Sequence, residues 1–326
     1  MRLTAATSSL AAVLLCLTFP VIADSNDAAS EWLARMSAAM SQMSYQGTFV
    51  YVLGDEVETM RITHVADDDG VRERLVSVSG VQREILRDSD GVRWVQSDDH
   101  SVMKDPSFGR SLFPEIPLQP KGEANDSYRF QLGNIERIAG HSGRKIKIVP
   151  KDEYRYGYTF WLEEQSALLL KWEVLDGENK RLAKLMFTDL RLGSEVDLKE
   201  LKSSSELNKF KTLESSLPSG GNLSHSNPRW QAASLPPGFR LTSHRYLGNN
   251  QQNTYEHIVY SDGLAAVSVY VEDNSDGMEE KDLGINRMGT THAYSRLTNG
   301  VLVTVMGDVP AITVQFIGEA VKLKTP

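Results

Sequence analysis

The fold is decided by residues 45–78, which read YQGTFVYVLGDEVETMRITHVADDDGVRERLVSV. Aromatic and β-branched residues fill three runs of this stretch, and turn-forming residues separate the runs at 54–56 and 67–70. Short strands joined by such turns are typical of an antiparallel meander. The acidic run 67–69 lacks the alternating ligands and the closing glutamate of a calcium loop. It therefore indicates a solvent-exposed hairpin tip and not a metal site.

The same pattern continues to Leu192, and a helix precedes it. The helix is predicted over 28–43, because Trp32, Met36, Met40 and Met43 recur at helical spacing on one face. Further strands are predicted at 81–87, 92–96, 128–138, 144–149, 156–162, 168–175 and 181–192. The prediction is a mainly β (α+β) domain, in which a strongly curved antiparallel sheet or open β-barrel packs against the helix. The concave face of such a sheet can hold an apolar ligand.

A change in composition divides the chain into two domains. Residues 198–229 are rich in Ser, Gly and Pro and predict a linker, whose first part also permits a short helix. We expect the large domain to span 24–197 and a small second domain to span 230–326. Predicted strands of the second domain lie at 240–246, 255–260, 265–272, 291–298 and 301–307, and a closing helix at 309–321. These segments predict a four- or five-stranded antiparallel sheet with one helix on it.

The N-terminus has the pattern of a cleavable signal peptide over 1–23. Arg2 precedes an apolar run at 10–22, and Ala23 is followed by polar residues. The run is short for a membrane span, which needs about 20 apolar residues. We therefore expect a soluble protein exported to the periplasm. The single cysteine, Cys16, would leave with the signal peptide, so the mature chain would have no disulfide and no catalytic thiol.

The charge of the chain argues against nucleic acid as a partner. The formal net charge is −8, and removal of Arg2 with the signal peptide makes it −9. Binding to nucleic acid needs a basic face. Net charge would not draw such a protein to an anionic membrane surface either, although a local basic patch could still contact one.

The sequence has no compact catalytic, cofactor or metal motif. The seven histidines include no pair spaced as in a zinc protease, and Glu256-His257 is an isolated pair whose side chains a strand would point to opposite faces. No nucleophile elbow, Walker loop or dinucleotide fingerprint occurs. We therefore predict no catalytic residue, no metal ligand and no cofactor, and a protein that works by binding and not as an enzyme.

Several blocks of the sequence resemble the MucB/RseB family of periplasmic regulators. Two of them are the most specific, namely RYGY at 155–158 and SDGLA at 261–265. Other matching blocks are YQGTFVY at 45–51, RITH at 61–64, GVQRE at 80–84, IAG at 138–140, PKDEY at 150–154, LPPGF at 235–239, VSVYVE at 267–272 and GDVP at 307–310. The resemblance covers both predicted domains.

The resemblance implies a fold and a function. The large domain would resemble the lipoprotein carriers LolA and LolB. The protein would bind the periplasmic region of a membrane-spanning anti-sigma factor of the RseA/MucA type and shield it from regulated proteolysis, so that sigma-E-type transcription stays restrained. Lipid or lipopolysaccharide from a damaged envelope would loosen the complex. The alternative from another class is a periplasmic lipid or lipoprotein carrier, which would have no need of the second domain.

Candidate site residues fall into two sets. For a lipid pocket the candidates are Trp32, Trp161, Trp172 and three residues of the Pro-rich apolar segment 105–121, namely Phe108, Leu112 and Phe113. For contact with the partner they are Tyr154, Arg155, Tyr156, Arg240, Arg245, Tyr246 and Tyr270, since interfaces favour arginine and aromatic residues. Each of these residues has a structural interpretation too, as core or corner. A homo-oligomer that buried the pocket would protect it from aggregation.

Overall fold

The structure, a computed structural model, contains two large, mainly antiparallel sheets, each packed against one main helix, and one small two-stranded sheet. It describes residues 25–80, 82–89, 91–96, 101–105, 127–193, 196–202, 211–214, 228–249, 253–273 and 283–324. Helix α1 covers Ser25–Gln42, and α2 covers Ala311–Ala320 near the other end of the chain. The prediction of a mainly β fold with two sheet-and-helix units is confirmed.

The first sheet has 12 strands. In chain order they are β1 (Tyr45–Leu53), β2 (Glu56–Asp67), β3 (Gly70–Ser77), β4 (Arg83–Asp88), β5 (Gly91–Gln96), β6 (Ser101–Asp105), β7 (Tyr128–Ile138), β8 (His141–Pro150), β9 (Gly157–Glu163), β10 (Leu169–Leu175), β11 (Arg181–Leu192) and β12 (Lys211–Glu214). Their order across the sheet is β12-β6-β5-β4-β3-β2-β1-β11-β10-β9-β8-β7. The consecutive strand order is interrupted where β1 pairs with β11, so the first and last long strands of the domain lie side by side, and again at the edge where β12 pairs with β6.

The first sheet bends around α1. The helix contacts both β2 and β7, which are six steps apart in the strand order. In a flat sheet those strands would lie about 29 Å apart, at roughly 4.8 Å per strand. A helix is only about 10–12 Å wide, so both contacts require strong curvature. β7 also touches β11, which is four steps away, as a curved sheet allows.

The core of the first domain lies between α1 and the concave face of the sheet. The buried residues of the helix are Ala29, Leu33, Met36 and Ala39, while Trp32, Met40 and Met43 are only partly buried at its margin. Of the predicted helix face only Met36 is fully buried, so the prediction was rotated from the observed buried face. The large side chains lie at the edge of the helix–sheet contact, whereas the small Ala29 and Ala39 let the helix approach the sheet closely. Alternate strand residues complete this core; among them are Phe49 and Phe187, whose rings meet edge to face at 5.6 Å.

The second domain contains a six-stranded sheet and a separate two-stranded one. The larger sheet has the order β14 (Arg240–Asn249), β15 (Asn253–Ser261), β16 (Ala266–Asp273), β19 (Val301–Gly307), β18 (Thr291–Thr298) and β17 (Gly284–Met288). In the smaller one, β13 (Trp230–Ala232) pairs with β20 (Val321–Leu323), which follows α2 directly. Helix α2 packs on β18 and β19 through Val314 and Ile317.

Several elements differ from the sequence-based expectation. The second sheet has six strands and not four or five, because β17 is a short edge strand whose exposed residues lack the alternation that marks a strand. Within the predicted linker, Leu198–Leu201 forms a 3₁₀ turn capped by Asp197, and β12 pairs in parallel with β6. The β12–β6 pairing joins segments about 110 residues apart in the sequence, so local periodicity could not find it.

Candidate functional site

Three successive predicted residues lie between the two domains. Tyr154, Arg155 and Tyr156 end the loop from β8 to β9, and each contacts the second domain. The Tyr154 carbonyl accepts a hydrogen bond from Thr313 Oγ1 at 2.7 Å, and its ring meets the Phe316 ring edge to face at 5.5 Å. These two partners both belong to α2. In this domain arrangement the run faces the other domain and is not directed to solvent.

Tyr156 makes the second of these contacts. Its hydroxyl donates to the Thr290 carbonyl at 3.3 Å and lies 3.1 Å from Nδ1 of His292, whose nearest acceptor is the Val309 carbonyl at 2.8 Å. Burial raises the pKa of Tyr156 to about 12, since a phenolate would lose its hydration here. The hydroxyl therefore acts as a neutral donor at physiological pH.

Arg155 is the centre of the contact and is only 1% exposed. Its Nη1 donates to Asp262 Oδ2 at 2.6 Å, and its Nη2 donates to the Pro237 carbonyl at 2.6 Å, both in the second domain. Its Nε donates to Asp152 of its own loop at 2.9 Å. A buried guanidinium is tolerated only when its charge and its N–H groups have partners, and this one has three.

Two aromatic rings enclose the Arg155 guanidinium. Its central carbon lies 5.3 Å from the centroid of Tyr128 in the first domain and 5.2 Å from that of Phe239 in the second. Both distances suit cation–π attraction, which is stronger in a site without water. Lysine could not replace Arg155 here, because the flat fork of the guanidinium serves three acceptors in different directions.

Asp262 uses both carboxylate oxygens. Oδ2 accepts from Arg155 and from the Tyr128 hydroxyl at 3.0 Å, whereas Oδ1 accepts from the backbone N–H groups of Leu264 and Ala265 at 2.9 and 2.7 Å. The same side chain therefore closes its own turn and holds the other domain. Burial, followed by the nearby Asp262 charge, raises the pKa of Tyr128 well above its usual value, so this phenol also stays neutral.

Two glycines allow the domains to approach this closely. A Cβ on Gly238 would lie 2.4 Å from Ser127 Oγ, and one on Gly289 would lie 2.6 Å from Leu53. Both glycines also have a positive backbone φ, +80° and +62°, which residues with a side chain rarely adopt. The first domain contributes Tyr128 and Tyr154–Tyr156 to this contact. The second domain contributes Pro237–Phe239, Asp262 and helix α2. We call the whole contact the interdomain joint.

The joint brings together three of the sequence blocks that carry the resemblance. RYGY (155–158) supplies Arg155, SDGLA (261–265) supplies Asp262, and LPPGF (235–239) supplies Pro237 and Phe239. Sequence reasoning identified these blocks but missed Asp262, Tyr128 and Pro237 as functional residues. The available signal was the presence of turn residues in both domains, at 150–156, 235–239 and 261–264, which does not say that the turns meet.

The remaining partner-binding candidates lie on β14 and β16. Arg240 and Arg245 are exposed, and Tyr246 is half-buried with its ring edge-on to His244 at 4.8 Å. Tyr270 stacks on His257 with ring centroids 4.5 Å apart. The joint does not include any of these four residues, so the structure separates the predicted set into two places.

Arg245 and Tyr270 share one face of the second sheet. The register places Arg245, His257, Tyr270 and Thr304 in a row across β14, β15, β16 and β19. The alternate residues of these strands, among them Ile258, form the core under α2. In the part of the chain that the structure describes, no helix covers the Arg245 side, which we call the open face.

Comparison with known proteins places this architecture in a family. The model described as the MucB/RseB N-terminal domain matches residues 28–205, and the model described as the MucB/RseB C-terminal domain matches residues 224–322. The chain belongs to the MucB/RseB family. The resemblance read from the sequence blocks is thereby confirmed.

Relatives and solved structures agree over nearly the whole chain. The sigma factor AlgU regulatory protein MucB of Pseudomonas aeruginosa is 28% identical over 300 residues, which cover 90% of each chain. The sigma-E factor regulatory protein RseB of Haemophilus influenzae is 27% identical over 321 residues and covers 96% of this chain and 97% of its own. MucB solved in complex with MucA(peri) has a TM-score of 0.68 at 25% identity, covering 91% of this chain and 100% of that one. The Pseudomonas aeruginosa MucA/MucB complex gives 0.69 at 26% identity, with coverage of 92% and 100%.

The predicted lipid-pocket residues of this MucB/RseB member do not share one surface. Trp172 faces the core with its ring 6.2 Å from that of Tyr51, whereas Trp161 pairs with Lys171 on the opposite face of the sheet. Trp32 lies at the helix margin under the Arg35 guanidinium, 4.5 Å from the ring centroid. Phe108, Leu112 and Phe113 lie outside the described residues.

A cavity of about 200 Å³ lies beside β1 and β11, and its lining is polar. It is lined by Gln46, Gly47, Thr48, Arg61, Asp189, Arg191 and Glu200. Ligand pockets are mostly apolar and larger, at about 300–1,000 Å³, so this cavity does not suit an acyl chain. The described ranges also contain no group of three or more potential metal ligands and no helix long and apolar enough to cross a bilayer.

Proposed function

We propose that this protein is a periplasmic regulator that binds the periplasmic region of a membrane-spanning anti-sigma factor of the RseA/MucA type. Binding would shield the anti-sigma factor from regulated proteolysis and so restrain sigma-E-type transcription. The observation that carries this proposal is the match over 91% of the chain to MucB solved in complex with MucA(peri). The regulatory names of the relatives support it, and the proposed action is binding without catalysis.

The cellular location follows from the same proposal. Residues 1–23 would direct export and be cleaved after Ala23, leaving domains at 24–197 and 230–326 joined by the linker 198–229. The regulator would then meet a periplasmic segment of its partner directly.

The open face is the partner surface that the geometry favours. It offers Arg245 at the edge strand β14 and the stacked rings of His257 and Tyr270 beside it, with Tyr255 centred 6.1 Å from Tyr270. Tyrosine, tryptophan and arginine are enriched among the residues that supply most binding energy at interfaces, and the aromatic ones do so at a low cost in conformational entropy. β14 is also an edge strand, to which an extended peptide can add by backbone hydrogen bonds.

The interdomain joint supports a release mechanism. A ligand shifts a two-state equilibrium only by its difference in affinity for the two states. A lipid or lipopolysaccharide that bound the first domain better with the joint open would change the orientation of the second domain and weaken the complex. A homo-oligomer that covers an apolar pocket would fit the same scheme.

Binding of a labelled periplasmic segment of the host's anti-sigma factor, measured by fluorescence anisotropy, tests the proposal. Tyr270→Ala removes the central ring and is expected to weaken binding by about tenfold or more. Lys322→Gln, an exposed change on β20 away from the open face, should leave it unchanged. If the segment does not bind at all while lipid does, the carrier function replaces the regulator.

A further inference from the structure

The outer face of the first sheet, opposite α1, carries a cluster of basic residues. Two neighbouring rows lie on this face. The first, on β8, β9 and β10, is Lys145, Trp161 and Lys171, and the second, on β8 to β11, is Lys147, Thr159, Glu173 and Lys184. Arg181 reaches the second row, with Nη1 3.7 Å from Glu173. We call Lys145, Lys147, Lys171, Arg181 and Lys184 the basic face.

The positive charges of the basic face outnumber the carboxylates near them. Glu173 is 3.0 Å from Lys171 Nζ and also serves Arg181, and Lys145 pairs with Glu136 at 3.3 Å at the rim. Within the described residues, Lys147 and Lys184 have no ion pair. Burial, and then repulsion from Lys171 and Arg181, lowers the pKa of Lys184. Glu173 lies directly opposite Lys184 and offsets part of this repulsion, but it is shared with Lys171 and Arg181, so an anionic ligand would supply countercharge that the free protein lacks here.

Trp161 lies at the centre of the basic face with its side chain covered by lysines. The indole is 2% exposed, and the ammonium groups of Lys171 and Lys145 lie 3.6 and 4.8 Å from its centroid. Its Nε1–H has no acceptor among the described residues. A buried N–H without an acceptor is costly, and movement of the covering lysine side chains toward a bound anionic group would open this N–H to an acceptor.

We propose that the basic face docks the first domain onto a bilayer surface containing anionic phospholipids. Lysine side chains near such a surface each contribute to binding, and their aliphatic stems suit the headgroup region. The local charge explains how a protein of net charge −8 can approach an anionic surface with one side. An acidic protein partner fits less well, because the aromatic ring of this face is covered and offers no anchor.

This docking goes beyond the proposed function and does not depend on it. The open face lies in the other domain, so a regulator held at the membrane by its first sheet could still present its second domain to a partner. Confinement to the bilayer surface would raise its effective concentration near any membrane-spanning protein.

Sedimentation of the full mature chain with lipid vesicles tests the proposal. Vesicles of phosphatidylcholine mixed with phosphatidylglycerol should bind the protein, pure phosphatidylcholine vesicles should not, and added salt should release it. Lys147→Gln with Lys184→Gln should weaken binding about 25-fold, at about fivefold for each lysine. The matched control, Lys199→Gln with Lys322→Gln, removes two exposed lysines elsewhere and should bind as wild type.

Two further measurements keep the outcome decisive. Lys147→Arg with Lys184→Arg retains the charge and should retain binding, which separates a charge effect from a folding defect. If the basic-face and control variants lose vesicle affinity equally, binding depends on net charge and the proposal is overturned. The proposal is also overturned if the basic-face variant binds vesicles as well as the parent does. Binding to polyglutamate but not to vesicles, or displacement by low inorganic phosphate, would also overturn it. Unchanged binding of the anti-sigma segment by these variants leaves the regulator function standing in every case.

Discussion

Asp262→Asn should disrupt the interdomain joint more than any other near-isosteric change. Both side chains of the Arg155–Asp262 pair are 0% exposed, and both carboxylate oxygens act as acceptors. An asparagine has one acceptor oxygen, so its NH₂ group must face either the Arg155 guanidinium or the backbone N–H of Leu264. Either orientation opposes donor to donor and leaves the buried guanidinium without its principal countercharge.

The size of the effect follows from the burial. Removing one partner of a buried ion pair costs about 3–5 kcal/mol. Asp152 remains 2.9 Å from Arg155 Nε with its side chain 25% exposed, so the lower limit of about 3 kcal/mol applies. This is a large part of the stability of a typical domain, which is roughly 5–15 kcal/mol. We expect the domains to separate before either unfolds, because the ion pair that is lost joins one domain to the other.

Spin labels can measure this separation directly. The single cysteine is Cys16, so protein expressed from Asp24 with cysteines at the exposed positions Ser142 and Lys322 carries two labels, one in each domain. Double electron–electron resonance should give a narrow distance distribution for the parent and a broad one for Asp262→Asn. Urea unfolding should also change from one transition to two.

The control for this prediction is Asp273→Asn. Asp273 lies on β16 in the same domain and is exposed. Its change should alter stability by less than about 0.5 kcal/mol and leave the distances narrow. If Asp262→Asn behaves like this control in both measurements, the joint does not hold the domains and the argument from burial is refuted.

Two further predictions concern pH. Because the pKa of Tyr156 is higher in the folded state, at about 12, than the ordinary value of about 10, the neutral phenol contributes stability that is fully present below about pH 10 and is lost as the pH rises to about 12. The free energy of unfolding of the parent should therefore fall toward that of Tyr156→Phe across this window. If the two free energies change in parallel with pH, the prediction is contradicted. Burial acts to raise the pKa of Glu163, but hydrogen bonds from Ser166 and Gln165 outweigh it and hold the pKa below its usual value. All of these bonds end on Oε2, and glutamine keeps one acceptor oxygen, so Glu163→Gln should lose only the charge assistance, about 1 kcal/mol at neutral pH, and the difference should close as pH falls below about 4; a difference that persists in acid would exclude the carboxylate as its source.

Local periodicity predicted most of the strands correctly. Tyr128–Ile138, Arg181–Leu192, Thr291–Thr298 and Val301–Gly307 have the bounds that their patterns indicated. Each alternates or clusters apolar residues between turn signals, so the information is contained within the segment. The alternation also predicted that Glu256 and His257 point to opposite faces of a strand, and the structure buries Glu256 and places His257 on the other face of β15.

Contacts between distant residues could not be predicted in this way. Arg155 and Asp262 are 107 positions apart, and nothing near either residue indicates a partner of opposite charge. The two rows of the basic face likewise arise from the register of four strands, which is set by the packing of the whole sheet.

The sequence by itself determined the mainly β class, the two domains and the family. These depend on patterns within short segments and on blocks that stay recognisable without their neighbours. Only the tertiary structure decided that Arg155 is used inside the molecule and that Trp161 lies beneath lysines on the outer face. The physical reason is that burial and pairing of charges depend on which segments meet, and that is fixed by packing over the whole chain.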